Sequence, residues 1–467
     1  MKKLYIFFSS YLLLLLLVAC SNGEVKSVEV WLTKADESVL FKKQKPVEIS
    51  NKNSDKTTIT IGVNDDKQYQ VIDGFGFTLT GGSARLINEM QPEARQSLLN
   101  ELFGVDGDAI GVSYLRLSIG ASDLSDSVFT YNDLPEGQMD PFMENFSIET
   151  ELVHLIPVLQ EILAINPDIL IMGSPWTPPV WMKNNQHSIG GTLKPVFYDA
   201  YALYFVKYIQ AMAQLGIRID AITVQNEPLH PGNNPSLLMK ASEQAAFIRQ
   251  SLGPAFKKHA IDTKIVIYDH NADRIDYPLE VLADEEARSY IDGTAFHLYG
   301  GRVEDISQVH EAYPDKNLYF TEQWVGYPQN FPNDMAWHIR ELIVGATRNW
   351  CRNVLEWNLA ADPNLKPHTD GGCTLCLGAV TINGDNVTRN VAYYIIAHAS
   401  KFVRPGSVRI WSDEVEGLPN VAFKTPDGKK VLVVLNDTPE NESIKIESSE
   451  GSYVLSIESG DVVTLVW

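Results

Sequence analysis

Positive charge is in short supply. The 467 residues include 38 Lys and Arg against 59 Asp and Glu, a formal net charge of -21. Such a balance argues against nucleic acid and against any polyanionic substrate, which the chain would repel. A neutral polymer or a small neutral ligand is the easier partner, although solubility alone would be reason enough for the charge. Cysteine is scarce as well, at four residues. Cys373-x-x-Cys376 supplies too few ligands for a structural zinc, which takes four. There is no solenoid-type repeat and no low-complexity tract. The one long apolar run is N-terminal.

That run follows Met1-Lys2-Lys3 as "YIFFSSYLLLLLLV" and ends in "LVAC" at Cys20. It is a little short for a membrane-spanning helix and has the layout of an export signal. The closing tetrapeptide resembles a bacterial lipoprotein signal, which implies a lipidated Cys20 as the mature N-terminus. Ser21 rather than Asp follows, so retention in the inner membrane is not signalled, and a lipid-anchored place in the outer membrane of a bacterial envelope is expected. In an exported chain the Cys373/Cys376 pair is expected to form a short-loop disulfide. Cys351, within "NWCRNVLEWN", reads as a small buried hydrophobe.

What the chain has in quantity is core and aromatic surface: 45% hydrophobic residues, with 9 Trp, 19 Tyr and 18 Phe. Flat rings suit sugars as well as cores. Strand patterns occupy both flanks: "VEVWLT", "TTITIGV" and "YQVIDGFG" near the start, and "VAFKTPDGKKVLVVLND", "ESIKIESS" and "SYVLSIESGDVVTLVW" at the end, with Asp427-Gly428 marking a hairpin. These flanks are expected to pair as one β-sandwich. Between them, eight apolar strands each precede a helical pattern. They end in "GFGFTLTGG", "SYLRLSIGASD", "ILIMGSPWTPPVWM", "AITVQNEP", "KIVIYDHN", "GTAFHLYGG", "LYFTEQW" and "VLEWNLA". Eight such units make an α/β fold, a (β/α)8 barrel. The expected division is a signal at 1–20, tether and first sandwich strands at 21–70, barrel at 71–400 and the rest of the sandwich at 401–467.

Polar and aromatic residues gather at these strand ends: Arg116, Asp123, Trp176, Asn226, Glu227, His270, His297, Tyr299, Glu322, Trp324, Trp357 and Asn358. Barrel enzymes assemble their sites on that face. Glycoside hydrolysis typically needs two carboxyl groups flanking the scissile bond, one protonated and one ionised. Glu227 and Glu322 are the natural pair, and Asn226 is placed to bond a neighbouring hydroxyl. If the carboxyls stand about 5 Å apart, the reaction is retaining. The plainer alternative makes Asn226-Glu227-Pro228 a loop-to-helix entry, with Pro228 at the first helical position.

The segments "DGFGFTLTGG", "YLRLSIGASDLS", "GSPWTPPVWMK", "TVQNEP", "FHLYGG", "FTEQWVG" and "LEWNLA" resemble, in order, those of glycoside hydrolase family 30. Its members include glucosylceramidases and endo-β-1,6-glucanases. The resemblance, from about Val71 to Trp467, implies a barrel fused to a side β-sandwich made from both termini. It also implies Glu227 as acid/base, Glu322 as nucleophile, and Asp123, Trp176 and Asn226 as holders of the terminal glucose. His297, Tyr299 and Trp357 then line the pocket near the nucleophile, with Arg116 behind it. No metal or cofactor is implied. Arg116 read alone could be only a structural ion-pair partner, Trp181 core or site equally, and His270 no more than rim.

One departure bears on substrate. Glucosylceramidases usually carry "SEACVG"-like text where this chain has "TEQWVG", and a ring at Trp324 could stack on a sugar. The loop "HTDGGCTLCLGAV" shows no obvious apolar lip for ceramide, and no basic cluster marks a uronate site. The expected activity is endo-acting β-1,6-glucan hydrolysis. The alternatives are an exo-acting β-glucosidase or glucosylceramidase, and a surface glycan-binding protein that has lost catalysis. The last would be expected to lack one of the carboxylates, and both are present.

Overall fold

The computed structural model describes residues 27–49 and 59–467; the leader, Cys20 and the tether lie outside the described residues. Eight parallel strands close into a barrel: Gly74–Thr78, Tyr114–Ser118, Leu170–Ser174, Ala221–Thr223, Lys264–Asn271, Ile291–His297, Asn317–Glu322 and Cys351–Glu356. They correspond one for one to the eight apolar segments of the sequence. Helix Tyr198–Gln214 stops where Gly216 takes φ +80°, a left-handed turn that glycine adopts without strain. Helix Pro92–Phe103 also stops at a glycine, but Gly104 is extended there. What requires glycine at that position is space, since a Cβ would lie 2.6 Å from the Asn100 carbonyl oxygen.

Side chains in the barrel interior form layers. Tyr114, Met172, Ala221, Val266, Ala295, Tyr319 and Leu355 pack as one apolar plug. Strand side chains alternate, so residues two further along point into the next layer. There stand Arg116, Ser174, Thr223, His297, Thr321 and Trp357. This polar layer, above a dry one, is the floor of the site.

Strands from both ends of the chain make the sandwich. Ser27–Thr33 pairs with Val462–Val466, followed in order by Lys430–Leu435, Asn420–Lys424, Val408–Ser412, Ile59–Val71, Glu442–Ser448 and Gly451–Ile457. Both faces of the central strands are covered. Leu432 and Val434 pack inside the sandwich, while Val431, Val433 and Leu435 join the barrel core. Burial on two sides is why "VLVVL" runs apolar without alternation. The strand read at "YQVIDGFG" is not a separate element. Its first residues end the 13-residue strand Ile59–Val71, and Gly74 begins the barrel. That long strand pairs antiparallel with Val408–Ser412 and parallel with Glu442–Ser448, serving both layers. Among the described residues, no helix is long and apolar enough to cross a membrane.

Candidate active site

The Asn226-Glu227-Pro228 turn is not a helix entry. Strand Ala221–Thr223 ends in irregular chain, and the next helix begins at Ala241. Glu227 takes φ +43°, which a side chain adopts at a cost of about 1–3 kcal/mol. Its backbone N–H donates to the Asp269 carbonyl at 3.0 Å, and that of Asn226 to the Pro175 carbonyl at 2.8 Å. Neighbouring strands therefore hold the carboxylate at the barrel mouth.

Glu322 ends its own strand on the facing side. Arg116 Nη1 donates to Glu322 Oε2 at 2.6 Å, and the Tyr299 hydroxyl to Oε1 at 3.1 Å. Glu227, His297 and Glu322 present ligand-type atoms all within 4.8 Å of one another. Such a trio could in principle hold a metal ion, but both nitrogens of His297 are already engaged. Its Nδ1 lies 3.3 Å from Glu227 Oε1 and its Nε2 3.1 Å from Asp269 Oδ1, so both nitrogens face carboxylates and both serve as donors in the imidazolium form.

Asp269 ties the layer together. It is fully buried and accepts from Arg116 Nη2 (2.8 Å), Ser174 Oγ (2.8 Å), Thr223 Oγ1 (2.7 Å) and Thr321 Oγ1 (2.6 Å). Burial opposes its charge, yet Arg116 and His297 hold its carboxyl well below the usual range. Arg116 thus has both of the roles open to it. It is a buried structural partner to Asp269, and it also donates to Glu322 and to Asn226 Oδ1 at 2.7 Å.

The proton balance follows from these contacts. His297 is buried, which disfavours its charge, but Glu322, Asp269 and Glu227 push its pKa up to about 9. Burial would raise Glu227, yet the His297 hydrogen bond and charge bring it below its ordinary value. Burial takes Glu322 above its ordinary value against the pull of His297 and Arg116. These directions are the reverse of an isolated acid and nucleophile. They are reconciled if Glu227 and His297 share one proton across their 3.3 Å contact. With the proton on the imidazole Glu227 is ionised, and with it on Glu227 the imidazole is neutral, at the same total charge.

Above this layer lies a cleft of 440 Å³ lined by Glu227, Glu322, Asp123, Tyr299 and the indoles of Trp176, Trp324 and Trp357. A roomier hollow of 760 Å³ lies beside Trp31 and Glu101, but there the Glu101 carboxylate is taken up by Arg389 and the Tyr393 hydroxyl. Trp176 and Trp357 sit 5.4 Å apart and cover the Arg116 guanidinium. Asp123 is buried beside them, its carboxyl raised to about 7 by burial and by the Glu322 charge, against a hydrogen bond from the Cys373 N–H. The fold thus brings together Arg116, Asp123, Trp176, Asn226, Glu227, His297, Tyr299, Glu322, Trp324 and Trp357. His270 lines the rim, with Nε2 3.8 Å from Glu227. Trp181 is buried elsewhere, donating to Asn132 Oδ1 at 3.0 Å. Cys373 and Cys376 are disulfide-bonded and Cys351 is free and buried.

Two contributors were not singled out in the sequence. Asp269 lies beside His270, the residue to which the sequence points. Lys183, at the end of "GSPWTPPVWMK", is buried and donates to Thr177 Oγ1 (2.9 Å), the Ser188 carbonyl (3.0 Å) and the Ser236 carbonyl (2.7 Å). It pins together the loops after the third and fourth barrel strands. The loop after the eighth strand also has more apolar surface than its sequence suggests. Leu375 is 49% exposed and Tyr327, whose N–H donates to the Leu375 carbonyl, is 56% exposed.

Family models match nearly all of the described chain. The glycosyl hydrolase family 30 TIM-barrel domain covers residues 72–403, and the family's β-sandwich domain covers 406–465. An endo-1,6-β-D-glucanase of Aspergillus fumigatus is 33% identical over 435 residues, 87% of each chain. The lysosomal acid glucosylceramidase of Mus musculus is 29% identical over 448 residues, 88% of this chain and 84% of that one. Among solved structures, the endo-β1,6-glucanase BT3312 superposes with a TM-score of 0.87 at 36% identity, covering 94% of this chain and 99% of its own.

Proposed function

Because the chain belongs to glycosyl hydrolase family 30 and is a glycosidase, we propose that it is a retaining, endo-acting β-1,6-glucanase. The observation that carries this reading is the pair of carboxylates at the barrel mouth, with oxygens within 4.8 Å of each other. Such closeness suits direct attack by one carboxylate, as in retaining enzymes, rather than the wider separation of inverting ones.

In the first step Glu322 attacks the anomeric carbon while Glu227 gives its proton to the leaving oxygen. A glycosyl ester on Glu322 results. In the second, Glu227 takes a proton from water, which displaces the ester and restores both carboxyl groups. Arg116 and the Tyr299 hydroxyl compensate the charge on Glu322, and Asp123 and Asn226 hold sugar hydroxyls beside the indole faces. Because Asn226 Oδ1 is taken by Arg116, its amide nitrogen is the group it offers to sugar. The chemistry is complete with two carboxyls, a proton and water.

Two features favour a glucan over a sphingolipid. Relatives named as endo-1,6-β-glucanases are 33–36% identical, against 29% for the glucosylceramidase. Trp324 also places an indole in the cleft beside Trp357. The apolar pair Tyr327 and Leu375 favours the second reading, a glucosylceramidase. We further propose that Cys20 carries a lipid that anchors the enzyme in the bacterial envelope, a reading supported by the "LVAC" signal. Product analysis over time on pustulan, a β-1,6-glucan, tests the substrate: an early ladder of oligosaccharides is expected. Glucose alone would mean attack from chain ends, and turnover of glucosylceramide with pustulan untouched would overturn the assignment.

A further inference from the structure

The disulfide lies in the wall of the cleft. Cys373 and Cys376 both line it, packed with Trp324, Trp357, Trp176 and Leu124. Each end of the bridged turn is tied to a different part of the site. At the first end, the Cys373 N–H donates to Asp123 Oδ2 at 3.2 Å, and the Thr369 N–H to the Asp123 carbonyl at 2.8 Å. Between them the chain passes so close that a Cβ on Gly372 would lie 2.4 Å from the Asp123 carbonyl oxygen. At the second end, Cys376 pairs with Gly326 and Leu377 with Val325, immediately after Trp324.

We propose that the Cys373–Cys376 bridge is a positioning element for sugar binding, fixing Asp123 against the aromatic wall, so that its reduction weakens affinity while leaving the chemistry of the two carboxylates in place. The inference rests on reading the cleft as the sugar site. Without the bridge, the turn keeps its ladder to Val325–Gly326 but loses the constraint on Cys373. Gly371, at φ +82°, and Gly372 precede Cys373 and give the freed segment conformational latitude. A swing there takes the Cys373 N–H away from the Asp123 carboxylate, whose charge is already opposed by burial. Cys373 is half-buried, and Thr374 and Leu375 between the cysteines are exposed, so a small thiol can reach the bond. Dithiothreitol would reduce it to two thiols while itself closing to its cyclic disulfide, a balanced two-electron exchange.

The test measures KM and kcat on an aryl β-glucoside for the full mature enzyme, oxidised and reduced, and for the Cys373→Ser/Cys376→Ser variant. Reduction is expected to raise KM about tenfold, the scale of one lost hydrogen bond to a charged group, with kcat within about twofold. Reoxidation should reverse the rise. The double variant should start at the raised KM and ignore dithiothreitol, and Asp123→Asn should also be insensitive to it. An unchanged KM after verified reduction overturns the proposal, as does a dithiothreitol response that persists in the double variant. A merely structural bridge would lower thermal stability and the active fraction without moving KM, and that result also counts against it. If the oxidised enzyme does not turn over glucosides, the functional reading fails separately. Calorimetric binding of a glucose-shaped iminosugar then decides the bridge's role, with equal or absent binding in both redox states contradicting it.

Discussion

Glu322→Ala is expected to lose on the order of 10⁴-fold in kcat on any glucoside, with protein that folds as before. The size follows from the role. The variant keeps the Arg116–Asp269 ion pair, His297 and the aromatic wall, but has nothing to form the glycosyl ester. Removing Glu322 also takes a negative neighbour from His297, whose pKa should fall. Added azide fits the space left by the carboxylate and should restore part of the rate on an activated aryl glucoside, giving the α-glycosyl azide. That product identifies the side from which the nucleophile attacks. Full activity in Glu322→Ala would show that another group performs the displacement.

Glu227→Gln is expected to separate substrates by leaving group. On glucan, where the departing alkoxide needs a proton, kcat should fall by about 10³-fold. On an aryl glucoside with an acidic phenol the first step needs little help. Glycosyl-enzyme should therefore accumulate in a burst, with its slow hydrolysis limiting the rate. The pH profile adds a second criterion. Activity in the unmodified enzyme requires Glu322 ionised, and burial raises that carboxyl, so the acidic limb should lie above the ordinary glutamate value of 4.5. Activity also requires the proton shared by Glu227 and His297, which is lost as pH rises through about 9. A bell results, with its alkaline side set by the pair. In Glu227→Gln there is no carboxyl to receive that proton, and the alkaline limb on an activated substrate should flatten. An alkaline limb retained at the same pH would place the acid elsewhere.

The sequence carried the site wherever strand alternation was regular. Arg116, His297 and Trp357 each stand two residues beyond a member of the apolar plug, so placing the strands placed their side chains. Glu227 and Glu322 were legible because a carboxylate at the end of an apolar strand has few structural uses. Asp269 was not legible, and the reason is local. Counting two from Val266 leads to Tyr268, but Tyr268 and Asp269 take φ of +69° and +67°, and pairing with the next strand shifts between Ala295 and Phe296. The irregularity reverses the parity of the strand. Tyr268 packs outward on Tyr277 and Phe296, and Asp269 turns in. No periodicity in "KIVIYDHN" marks such a break.

The sandwich shows a similar limit. Its central strands announce two-sided burial by their composition, whereas the strand Val408–Ser412, "VRIWS", carries no such mark. It is recognisable only once the long strand Ile59–Val71 is seen to pair with it. Lys183 is a third case. A lysine after "PPVWM" reads as a solvated side chain, and only the fold reveals three loop acceptors converging on it.

The most direct test of two carboxyls acting on one sugar carbon is stereochemical. Proton NMR of a β-glucoside digest in its first minutes, before mutarotation scrambles the anomers, should show the β-anomer of the released sugar appearing first. First appearance of the α-anomer would mean a single displacement by water, and a nucleophilic Glu322 facing Glu227 could not be the source of it.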